Sequence, residues 1–209
     1  MLGDLFNNPV GFIVWALSLL VAITIHEFSH AFAADRLGDP TPRLQGRLTL
    51  NPLAHLDPIG TVLMLIARFG WGKPVVFDPF NLRHPRRDAA IISLAGPVSN
   101  ILLAIVLSVL LRFFPISGII TPIIVMNVVL AIFNLIPIHP LDGFKIVGGI
   151  LPREYAKQWY ELEPYGMFFL LFLVFPFFGS TAPVMQVISP IISAFLRLLL
   201  PPVGSAGII

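Results

Sequence analysis

Long apolar runs separated by short polar stretches set the outline of this chain. A helix needs about 20 apolar residues to cross the hydrocarbon core of a bilayer. Four runs approach that length, at about 9–34, 89–114, 119–137 and 167–178, and a fifth, at 183–200, is interrupted by Pro190. Backbone groups in lipid must pair within their own element, so these runs predict helices. The stretch 46–70 differs. Its apolar part, 59–69, is short for a span, and the Asn51-Pro52-Leu53-Ala54-His55-Leu56-Asp57-Pro58 before it is polar and broken by prolines. This pattern predicts a re-entrant or interfacial segment. Residues 46–50 alternate polar and apolar positions, as a strand edge does. The expected architecture is an all-α polytopic membrane protein with about five transmembrane helices. It forms one domain over 1–209, with a core at about 9–143 and C-terminal helices at about 164–200.

Composition agrees. Of 209 residues, 56% are hydrophobic and 11% charged, against roughly 25% charged in soluble domains. The lipid bilayer is the natural solvent for such a chain. Its formal charge is +2 with no basic run, so no nucleic-acid partner is expected. Cysteine is absent, which excludes disulfides, thiolate metal sites and a cysteine nucleophile; a metal must be held by His, Asp or Glu. No Lys or Arg precedes the first apolar run and Asp4 is acidic, so that run is expected to be a permanent span and not a cleaved signal peptide.

The strongest local signal is His26-Glu27-Phe28-Ser29-His30. On a helix, residues four apart lie on one face about one turn apart. Both imidazoles can therefore face one Zn²⁺, with Glu27 beside them as a base for its water. Ionisable groups inside an apolar span cost a few kcal/mol each on insertion scales, about 2.5–3.5 for a central charge, so packing alone does not account for three of them. A polar helix contact, a proton relay, or a metal-ion or proton transporter are the competing readings. Catalytic zinc takes three protein ligands and an open position. Asp142, in the proline-rich stretch that follows the third run, is the best candidate for the third ligand, although alone it reads as an Asp-Gly turn.

If His30 and Asp142 share a metal, an even number of crossings separates them, and 48–70 cannot cross. With that topology eleven of the thirteen Lys and Arg fall on the active-site side, and only Arg112 clearly lies opposite. Basic loops stay in the cytoplasm, so the active site is expected on the cytoplasmic side of a cell membrane.

His26-Glu27-x-x-His30, Gly96-Pro97-Val98-Ser99-Asn100, and Asn134-x-x-Pro137 leading to Leu141-Asp142-Gly143 together resemble the site-2 protease family of intramembrane metalloproteases. The Asn51–Thr61 stretch resembles the small prokaryotic branch without an appended PDZ or CBS domain. The resemblance implies one zinc per chain on His26, His30 and Asp142, and Glu27 as general base and then proton donor. It also implies transmembrane segments of other proteins as substrates. Asn134 and Asn100 are intramembrane amides that read either as hydrogen bonds across helices or, on this resemblance, as substrate or oxyanion contacts. His55, in the re-entrant segment, reads either as a cap or pin of that segment or as a gate, substrate contact or auxiliary ligand. His139 stands where the family commonly has proline, and reads as an extra ligand, a partner of Asp142 or a neutral surface change.

Overall fold

The computed structural model describes residues 7–67, 71–114, 117–176 and 182–201, and among these it is mostly helical, without strands. Three helices are long and apolar enough to span a membrane: α1 (Pro9–Leu37), α4 (Pro85–Phe113) and α5 (Ser117–Asn134). They pack against one another in all three pairings. Between α1 and α4 lie two short helices, α2 (Thr41–Leu44) and α3 (Pro58–Ala67). After α5 come α6 (Asp142–Ile150), α7 (Arg153–Tyr160), α8 (Glu163–Val174) and α9 (Pro183–Leu199).

The ends of α1 are written in its sequence. Asn8 Oδ1 accepts the Gly11 N–H at 2.9 Å, with Pro9 in the first turn, where its missing N–H costs nothing. At the other end Gly38 takes φ +109°, and the Gly38 and Asp39 N–H groups close on Asp35 O and Ala34 O. That is the left-handed cap which glycine adopts without strain.

The bundle is apolar outside and partly polar inside. Val10, Ile13, Leu17 and Val21 of α1 face outward, while Ser18, Ala22, Thr24, His26 and His30 are buried. Ser18 and Thr24 return their hydroxyls to carbonyls of their own helix, which satisfies them without a partner helix. Ala22, Ala104 and Ala131 are wholly buried; small residues let membrane helices approach closely. The largest apolar cluster lies where α4, α5 and α9 meet, around Ala104, Ile124, Val128 and Ile188.

The stretch after α2 doubles back. A 3₁₀ turn, Pro52–His55, precedes α3, whose ten residues rise about 15 Å, half of a hydrocarbon core of about 30 Å. Leu56 and Gly72 form an antiparallel bridge, and Lys73 N–H bonds His55 O at 2.8 Å. The chain thus returns beside the point where α3 begins, as a re-entrant segment does. Residues 46–50 are not a strand. Gly46 turns the backbone at φ +69° and Arg47 is buried, so the alternation does not make an edge. The runs at 167–178 and 183–200 form shorter helices than a full span, of 12 and 17 residues. α8 stops at Val174, just ahead of Pro176, because a residue before proline is driven out of the helical region. The part of that run at 177–178 lies outside the described residues.

Asp39 ties the returning chain to the end of α1. Wholly buried, its carboxylate accepts from Thr41 N and Oγ1, Asp78 N and Asn81 Nδ2 at 2.6–3.0 Å. Burial alone would raise its pKa, but these donors outweigh burial and hold it below its ordinary value, because each favours the charged form. Asp39→Ala should lower the apparent unfolding temperature in detergent, at a cost of about 1–3 kcal/mol for the donors left unpaired. A depressed folded-state pKa stabilises fully above the ordinary value of 3.8 and is lost as pH falls through the folded one. The gap between wild type and variant should therefore narrow in acid.

Candidate metal centre

His26 and His30 lie one turn apart on the buried face of α1, their rings edge-on with centroids 4.6 Å apart. Asp142 reaches them from the first turn of α6. Its Oδ2 lies 3.0 Å from His26 Nε2 and 3.3 Å from His30 Nε2. The three donor atoms fall within 4.8 Å of one another. Gly143 allows this approach: a Cβ there would sit 2.3 Å from Leu135 O and 2.4 Å from Ile136 O. The Asp-Gly pair is thus the start of a helix folded tightly beneath the loop that leads to it.

The far side of each imidazole settles which atom faces the centre. His30 Nδ1 lies 2.7 Å from Ile92 O, and His26 Nδ1 lies 2.7 Å from Asn100 Oδ1. A carbonyl oxygen only accepts, so each Nδ1 carries a proton and each ring turns its Nε2 toward Asp142. Asn100 is itself pinned. Its Nδ2 donates to Ala22 O at 2.9 Å and to Asn127 Oδ1 at 2.7 Å, and Asn127 Nδ2 donates to Ile123 O at 2.8 Å. This series joins α1, α4 and α5 through wholly buried amides.

Three potential ligand atoms therefore converge, and Asp142 Oδ2 is a buried oxygen without a hydrogen-bond partner. One proton can bridge the carboxylate to only one imidazole, whereas a divalent cation satisfies all three donors. Two imidazoles, each oriented by an outer partner, and a carboxylate fit such an ion. Gly96 lies directly under the rings: a Cβ there would be 2.5 Å from His30 Nε2 and 2.7 Å from His26 Cε1. Glu27 is half-buried beside the centre, and its Oε2 accepts the Val75 N–H at 3.0 Å.

The other candidate residues stand apart from these donors. His55 is wholly buried and donates Nε2–H to Thr49 O at 2.9 Å, leaving Nδ1 without a partner. His139 lies 3.6 Å from Glu163 and edge-on to Phe144. Asn134 returns its Nδ2 to Leu130 O on its own helix. Asn100 is enclosed and has both amide hydrogens and its oxygen in use across helices, with its oxygen on His26 Nδ1. Sequence reasoning missed Asn127, which the same logic of an amide within an apolar run would have found. It also missed Ile92 O and Val75 N–H, backbone groups that no residue type announces.

No family model matches the chain, and no solved structure matches it. Among known proteins it is 40% identical to YwhC of Bacillus subtilis, named as a candidate zinc metalloprotease, over 76% of this chain and 77% of that protein. It is 35% identical to Rip2 of Mycolicibacterium smegmatis, named likewise, over 71% of this chain and 63% of that protein. It is 26% identical to the zinc metalloprotease MJ0392 of Methanocaldococcus jannaschii, over 73% of this chain and 39% of that protein. With the donor geometry and these relatives in hand, the chain belongs to the zinc metalloprotease family of YwhC.

Proposed function

We propose that this protein is a single-domain intramembrane protease of the site-2 type, which hydrolyses peptide bonds in or near the transmembrane segments of other membrane proteins. The observation that carries the reading is the convergence of His26 Nε2, His30 Nε2 and Asp142 Oδ2 next to Glu27, inside an apolar helical bundle. His26, His30 and Asp142 hold one zinc. Zinc in such a site supplies Lewis acidity and an acidified water.

The chain's own residues do the rest. Glu27 is held through Oε2 by Val75 N–H, which leaves Oε1 to accept the proton of the attacking water and return it to the departing amine. Hydrolysis consumes one water and breaks one C–N bond, so the proton count closes. Asn100 and Ile92 O hold the proton on each Nδ1 and keep each Nε2 aimed. His30 lies eight residues before the Gly38 cap, about 12 Å along the axis, which sets cleavage at shallow depth. That end of α1 carries Arg36 and leads to Arg43 and Arg47, so the site faces the cytoplasm by the distribution of basic residues. The apolar outer faces of α1 and α4 admit substrate sideways from lipid.

Purified wild type and Glu27→Gln should each carry one zinc per chain, with cleavage of a single-span model substrate lower by about 100- to 10,000-fold in the variant. Cleavage by both would remove Glu27 from the mechanism. Ion flux in liposomes without cleavage by either would favour a transporter. Asn100→Ala frees His26 Nδ1 and should weaken zinc about 10- to 100-fold in a competition titration with a chelator. Gly96→Ala should lose zinc as well, since its methyl group occupies the space of the His30 ring edge.

A further inference from the structure

Arg47 is a buried cation outside the zinc-binding residues, 4% exposed. Its guanidinium donates from Nη1 to Ala54 O and from Nη2 to Lys73 O and Pro74 O, the latter two at 2.7 and 2.9 Å. Among the described residues it has no carboxylate within ion-pair distance. Burial lowers its pKa, and the charge that opposes burial is that of Glu27. A buried arginine that spends its donors on neutral carbonyls is holding backbone. The backbone here comes from two segments, the 3₁₀ turn that packs on α1 and the chain returning from α3.

The next residue after the clamped carbonyls is Val75, whose N–H holds Glu27 Oε2. Three residues further on, Asp78 N–H is held by Asp39. Residues 73–78 are therefore stretched between a buried cation and a buried anion, and the amide presented between those anchors bonds the glutamate. Resting on the protease reading, we infer that Arg47 is a positioning residue for Glu27: by clamping the carbonyls of residues 73 and 74 it places the Val75 N–H that aims the glutamate carboxylate at the metal centre.

A staple that only stabilised the loop would act on folding and leave turnover by the folded enzyme alone. A positioning residue acts on kcat with KM and zinc unchanged, because misplacement near 1 Å costs about 100-fold in rate. The test compares wild type, Arg47→Met, Arg47→Lys and Val75→Pro as full chains in liposomes. It reads zinc content, kcat and KM on a single-span substrate, and amide exchange of residues 73–78 in zinc-free protein. Arg47→Met should keep its zinc and KM, lose about 100-fold in kcat and exchange faster over 73–78. Arg47→Lys keeps the charge but not the planar fork, and should fall between. Val75→Pro removes the donor with Arg47 intact, outside any helix or strand, and should show the same kcat loss.

Full kcat in Val75→Pro, or faster exchange with full kcat in Arg47→Met, overturns the proposal. If Arg47→Met does not fold, Val75→Pro decides. A wild type that binds no zinc and cuts nothing sinks the protease reading instead; the exchange arm then judges the clamp, and protection that survives Arg47→Met overturns it.

Discussion

Two imidazoles and a carboxylate inside an apolar bundle have few places to go except toward one another. Lipid offers no hydrogen bonds, so each polar group must find its partner among the helices. The interior of this bundle follows that constraint. Hydroxyls on α1 fold back on their own helix, and amides on α4 and α5 join end to end. The two imidazoles and the carboxylate meet at one point. The packing serves the same end: alanines at the crossings and glycine under the rings bring α1 and α4 close enough for side chains on one to be oriented by backbone and amide on the other.

Much of this was legible in the sequence, and the legible part has a physical signature. The His pair could be read because a spacing of four is one helical turn. The three long helices could be read because their length matches the bilayer. The re-entrant character of α3 followed from an apolar run too short to cross, and the bridge between Leu56 and Gly72 agrees with it. Asp142 was weaker. From residues alone it was a turn, and it became a ligand candidate only beside the other motifs.

What could not be read depends on direction and on backbone. An amide carries both donors and an acceptor, so Asn100 could equally have faced substrate; its two amide hydrogens on Ala22 O and Asn127 Oδ1 decide that it faces His26. The alternation at 46–50 suggested an edge, but pattern does not reveal that Gly46 turns the chain and that the arginine beside it points inward. Ile92 O and Val75 N–H belong to residues chosen for apolar bulk. Their contribution comes from where the backbone passes, which only the folded chain specifies.

The series from Ile123 O through Asn127 and Asn100 to His26 has a polarity. It is anchored on main-chain oxygens of α5 and α1 that cannot rotate away, so each amide has one orientation available and the choice propagates to the imidazole. His26 therefore does not select its tautomer by sampling solvent. The selection is made on the side of the ring away from Asp142, by the secondary structure of two neighbouring helices, and the His26 tautomer is inherited from the fold as a fixed boundary condition.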